Sequence, residues 1–111
     1  MHKAILIKPF ELSVINIEIG EDYTEIQNTI GCRCFTMITI DEKNVAYLDD
    51  EGLINGTEFG TKFNNDIYPE TLAGNILIIG DDGKGGSCDT TLTKASVQGM
   101  ISHFVRFTQA V

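Results

Sequence analysis

The stretch Lys3-Ala4-Ile5-Leu6-Ile7-Lys8-Pro9-Phe10-Glu11-Leu12-Ser13-Val14-Ile15-Asn16-Ile17-Glu18-Ile19 sets the fold class. Ala4 to Lys8 is a β-rich run that stops at Pro9, a residue with no N–H to give a strand ladder. Ile15, Ile17 and Ile19 alternate with Asn16 and Glu18, the period of a half-buried strand. Leu12 and Val14 have the opposite parity, so a bulge or short break near Val14 and Ile15 is expected. The two runs lie close enough for a hairpin around Pro9-Phe10-Glu11, and hairpin strands are antiparallel.

Outward from that hairpin, Gly20-Glu21-Asp22 ends the second strand and Tyr23 to Ile30 reads as a short helix. Tyr23, Ile26 and Ile30 share a stripe, Asp22 is a fit N-cap with Glu25 at the capping-box position, and Gly31 is a fit C′ residue. Arg33 to Ile40 is the longest strand candidate. Cys34, Thr36, Ile38 and Ile40 fall on one face, Phe35 and Met37 on the other. Asp41-Glu42-Lys43-Asn44 is a turn, Val45 to Leu48 the return strand, Asp49-Asp50-Glu51-Gly52 another turn, and Leu53-Ile54 a short strand. Asn55 to Thr71 is the least regular stretch, punctuated by Gly56, Gly60, Asn64, Asn65 and Pro69; its length suggests a functional loop or a short helical turn. Ile76 to Ile79 reads as a buried strand, Gly80 to Ser87 as a hairpin-type loop, and Cys88 to Leu92 as a short return strand. Thr93 then caps a last helix running to about Phe107, with Val97, Met100, Ile101, Phe104 and Val105 on its apolar stripe. These elements predict one α+β domain over residues 1–111: a mostly antiparallel sheet of five or six strands, with a short helix and a C-terminal helix on one face.

The bulk numbers agree with one domain. The chain has 111 residues, 42% hydrophobic and 22% charged, with 16 acidic against 8 basic side chains and a net charge of −8. Apolar content is too high for long disorder. The charge has the wrong sign for direct binding to nucleic-acid phosphates. No window approaches the ~18 apolar residues of a membrane span, and the first strand is too short an apolar run for a signal peptide. Cys32, Cys34 and Cys88 do not form a secreted disulfide framework, so a cytoplasmic location is expected, and Asn55-Gly56-Thr57 is then a turn rather than a glycosylation site.

Motifs of chemistry are sparse. Gly80 to Ser87 follows a strand, as phosphate loops do, but the P-loop spacing is not matched, no helix starts after Ser87, and Asp81 and Asp82 would repel phosphate. It reads as a hairpin tip, with backbone N–H groups left as a minor means of holding a nucleotide. The acidic clusters lack EF-hand spacing, and Cys32-Arg33-Cys34 with a distant Cys88 is a weak zinc pattern, so no metal or cofactor is expected. His103 sits beside the apolar stripe of the last helix, and no hydrolase motif or carboxylate pair accompanies it, so no enzyme activity is expected. Most acidic residues fall in turns, which argues for solubility before nucleic-acid mimicry. Tyr23, Phe59, Phe63 and Tyr68 read as core satellites rather than a binding patch.

The order of features resembles the domain of unknown function 3846 family, small proteins of phages, plasmids and some bacteria. The matching stretches are Lys3 to Pro9, Ile15-Asn16-Ile17, Ile26 to Gly31, Asp49-Asp50-Glu51-Gly52, Asn64-Asn65, Leu72-Ala73-Gly74-Asn75-Ile76-Leu77-Ile78-Ile79-Gly80-Asp81-Asp82-Gly83, and Ser87 to Leu92 with a terminal helix. Arg33-Cys34-Phe35 and Gly83 to Gly86 depart from the pattern. The resemblance implies a mobile-element setting and no catalytic residues. In that setting the expected function is non-enzymatic inhibition of a host defence, in the host cytoplasm, by sequestering a small nucleotide signal. The candidate ligand-binding residues are Asn64, Asn65, Tyr68, Lys84 and Ser87, in a pocket between protomers of a homo-oligomer. The alternative is an acidic surface, with Asp49, Asp50 and Glu51, that occludes a basic nucleic-acid-binding face of a host defence protein. An enzyme acting on a nucleotide ranks third.

Overall fold

In the computed structural model, which describes residues 1–20, 22–51 and 57–107, the first hairpin forms where the alternation places it. Strand β1 (His2–Lys8) pairs antiparallel with β2 (Ser13–Ile19) in unbroken register, from His2 opposite Ile19 to Lys8 opposite Ser13. The expected bulge is therefore absent. Its place is taken by a 3-10 turn, Pro9–Glu11, closed by Leu12 in the left-handed region at φ 53°. The parity conflict has a different cause: β2 buries residues on both faces. Val14 packs with Ile5 and Ile7 in one core cluster, and Ile19 with Ala4 in the other.

These strands belong to a six-stranded sheet in the order β2-β1-β7-β4-β3, with β8 (Ser87–Cys88) paired to the end of β7. The remaining members are β3 (Phe35–Thr39), β4 (Asn44–Asp49) and β7 (Ile76–Asp81), and every neighbouring pair is antiparallel. The continuous apolar run of β7 follows from its central position, covered on both faces. Ile76 and Ile78 enter one cluster, Leu77 and Ile79 the other.

Helix α1 (Tyr23–Ile30) covers one face through Ile26 and Ile30. Asp22 caps it, its carboxylate accepting from Thr24 N at 2.9 Å, and Gly31 ends it at φ 82°. Glu25 reaches back past the N-cap and accepts from Gly20 N at 2.7 Å. Helix α2 (Lys94–Met100) lies on the opposite face, where Val97 joins Ile5, Ile7 and Phe63. The helices therefore sit on opposite faces rather than sharing one, because β4 and β7 present apolar side chains both ways.

The C-terminal helix is shorter than its stripe suggested. It stops at Met100, and Ile101–Arg106 forms β9 in a second sheet of order β6-β5-β9. The centre of that sheet is β5 (Phe59–Phe63), inside the stretch that read as irregular; β6 is Leu72–Ala73. Ile101, Phe104 and Val105 fit a helical stripe and also a β-rich strand, and pairing with Phe59 to Phe63 decides for the strand. Asn64 fixes the break: its backbone N–H donates to Met100 O at 2.9 Å and its side-chain amide to Gly99 O at 3.0 Å. The turn position Gly52, the Leu53-Ile54 strand and residues Asn55-Gly56 of the sequon lie outside the described residues, as does Glu21.

Candidate functional site

Among the described residues, an open groove of about 710 Å³ lies on the α2 side of the sheet. Its floor comes from the ends of β1 and β2. Lys3 shares the parity of Ile5 and Ile7, and Asn16 and Glu18 share that of Val14, so all three side chains project toward α2. Lys3 and Glu18 are cross-strand partners. The far wall is Thr90 to Ala95, which leads into α2 and adds Lys94 and the apolar Leu92.

That wall is held rigidly. Thr90 N donates to Lys3 O at 2.9 Å, and Lys3 N donates to the Asp89 carboxylate at 2.8 Å. Asn44, fully buried at the start of β4, is the anchor. Its amide donates to Asp41 and to Thr91 Oγ1 at 2.8 Å, and its Oδ1 accepts from Thr90 Oγ1 at 2.6 Å and Thr91 N at 3.2 Å. Gly80 allows the close approach: a Cβ there would collide with the Asp89 carbonyl oxygen and crowd Cys88 Sγ. Thr93 and Ser96 form a reciprocal capping box. The Thr90 and Thr93 hydroxyls are thus engaged, and the groove's polar ends left to meet a ligand are Lys3, Asn16, Glu18 and Lys94. Neither lysine makes an ion pair with a described residue, whereas Lys8 pairs with Glu11 at 2.9 Å and Arg106 with Glu58 at 3.9 Å.

The sequence-based candidates lie elsewhere, in two groups: Asn64, Asn65 and Tyr68 share one turn, where Tyr68 N donates to Asn64 O at 3.2 Å, and Lys84 and Ser87 belong to the β7–β8 hairpin. Asn64 binds the end of α2, as described above. Asn65 Oδ1 accepts from Lys62 Nζ at 2.8 Å, and Tyr68 packs on the core cluster beneath the second sheet. Ser87 lies in β8 on the other side of the main sheet, lining a recess with Val45 and Tyr47. In the glycine-rich loop, Asp82 accepts from Lys84 N at 2.7 Å and Gly86 N at 3.0 Å, and Asp81 accepts from Gly83 N at 3.0 Å. Carboxylates already occupy the N–H groups that a phosphate would need. Asp49 and Asp50 also serve a turn: Glu51 N donates to Asp49 at 2.8 Å, and Asp50 N to Cys34 O at 3.1 Å.

The three cysteines are free thiols, Cys34 exposed and Cys32 and Cys88 half-buried. Burial first, then the charges of Asp49 and Cys34, push Cys32 up from 9.0 to about 11, the wrong direction for a nucleophile. His103 stands on β9, not on a helix, and its Nδ1 lies 3.1 Å from Ser102 Oγ. Among the described residues no helix is long and apolar enough to cross a membrane. The groove itself escaped sequence reading because Lys3 and Lys94 are far apart in the chain. The parity shared by Lys3, Ile5 and Ile7 was the one available signal.

The model of a domain of unknown function, DUF3846, matches residues 1–104. The chain is also similar to the uncharacterized protein y4iR of Sinorhizobium fredii (strain NBRC 101917 / NGR234), 35% identical over 82 residues, which covers 72% of this chain. The match spans 50% of that relative's length. No solved structure matches. With nearly its whole length matched, from the first strand into β9, the chain belongs to the DUF3846 family.

Proposed function

We propose that this protein is a non-enzymatic binding protein that holds a small anionic ligand of the nucleotide class in the groove between β1, β2 and the segment entering α2. One observation carries the reading: in a chain of net charge −8, two lysines that pair with no described acidic residue face one groove of about 710 Å³. That volume lies within the range of small-molecule sites. Lys3 and Lys94 would hold phosphate, Asn16 and Glu18 would meet sugar or base polar groups, and Leu92 would supply apolar contact. The wall fixed by Asn44 makes the site ready-formed, which lowers the ordering cost of binding. Sequestration of a nucleotide signal, to the advantage of a mobile element, extends this reading through the setting that the family resemblance implies.

The test is thermal unfolding against a panel of linear and cyclic nucleotides and cyclic ADP-ribose. A binder raises the midpoint by mass action. The Lys3→Glu, Lys94→Glu double variant is expected to lose the gain, and Lys84→Glu to keep it. A flat response across the panel, or a gain that survives the double variant, rules out the groove as the site.

A further inference from the structure

The opposite face of the sheet carries a second surface. Helix α1 covers only part of that face, and beside it stands a row of aromatic rings. Tyr23 lies against Phe35 with ring centroids 4.5 Å apart, and Phe35 meets Tyr47 edge-on at 5.2 Å. Tyr23 is 55% exposed and Met37, on the same face as Phe35, 52%. Next to Tyr47 a recess of about 120 Å³ opens among Met37, Val45, Asp81, Gly85 and Ser87. The Asp81 carboxylate accepts Gly83 N–H and makes no ion pair with a described residue. Asp49, opposite Phe35 in the β3–β4 register, stands at the other end of the row.

An aromatic ring beside a carboxylate, in a recess the size of one long side chain, suits a cation: the ring face attracts it and the carboxylate pairs with it. We propose that this recess receives an arginine or lysine side chain from a basic segment of a protein partner, with the rest of that segment lying along Tyr47, Phe35 and Tyr23. A second copy of this chain does not suit the surface, because a net charge of −8 makes like faces repel.

A fluorescein-labelled hexa-arginine peptide is the probe, read by anisotropy at two salt concentrations, with hexaglutamate and N-acetyl-arginine amide as controls. Tyr47→Leu keeps an apolar side chain on the face and removes the ring. It should weaken peptide binding about fivefold, the fold-change of a ~1 kcal/mol cation–π contact. Asp81→Asn should weaken it by about as much or more. Glu70→Gln, with the same charge change at an exposed site, should stay within about twofold. Equal losses from Asp81→Asn and Glu70→Gln would reduce the effect to bulk charge and overturn the proposal. So would full-strength binding to Tyr47→Leu, binding of the single arginine amide as tight as the peptide's, or no binding at all. Circular dichroism of each variant separates lost binding from lost fold, and none of these residues lines the nucleotide groove.

Discussion

The two faces of the six-stranded sheet are built to different degrees. One is covered by α2 and the whole second sheet, and Phe63, Ile76, Ile78 and Val97 are fully buried there. Among the described residues the other carries α1 alone, eight residues long, and leaves Tyr23, Phe35 and Tyr47 partly open beside it. The covered face holds the larger cluster of buried apolar side chains and, at its rim, the groove. The open face has aromatic and acidic groups that core packing does not consume. Buried apolar area makes the first face costly to alter, and partial exposure makes the second tolerant.

The largest expected effect tests that asymmetry. Phe63→Ala should cost about 3–5 kcal/mol in urea unfolding, and Ile26→Ala on α1 about 2 kcal/mol, the low end of the core range. Equal costs would mean that α1 contributes as much as the second sheet. Next comes the anchor of the groove wall. Asn44→Ala should cost roughly 2 kcal/mol, since it breaks the part-buried hydrogen bonds to Asp41, Thr90 and Thr91 at once. It should also abolish any nucleotide-induced stabilisation; a variant that keeps the ligand response would detach the wall from Asn44. The smallest effect is a reactivity difference on the open side. With its pKa near 11, Cys32 is about 0.1% thiolate at pH ~8 and should alkylate well after the exposed Cys34. A raised thiol pKa means the folded state holds that proton more tightly. The contribution to stability is therefore present below 9.0 and fades as pH rises toward 11. Mass mapping of alkylated peptides at several pH values checks the order, and early labelling of Cys32 contradicts it.

Much of the main sheet was legible because its strands declare themselves locally: Ile15 to Ile19 and Phe35 to Ile40 by alternation, Ile76 to Ile79 by a short continuous apolar run. So do the cap at Asp22 and the stop at Gly31. The second sheet was not legible for a physical reason. Phe59, Thr61 and Phe63 alternate over only five residues, set among the turn formers Gly56, Gly60, Asn64 and Asn65, and Ile101 to Arg106 suits two periods until β5 is beside it. The groove was still less legible. Lys3 reads as a flank of the first strand and Lys94 as the opening of a helix; only the β1–β7–β8 pairing and the Asn44 anchor bring them to one cleft. Asn64 and Asn65 stood out as loop residues, yet their amides close a helix and a turn.

The central claim is that the groove is the ligand site, and an amide ¹H–¹⁵N titration of the whole chain tests it most directly. With the nucleotide that gives the largest thermal gain, the account predicts shifts concentrated at Lys3, at Asn16 to Glu18 and at Thr90 to Ala95, with Gly83 to Ser87 and Asn64 to Tyr68 unmoved. Saturable shifts confined to either of those loops, or spread evenly over the surface, would contradict it.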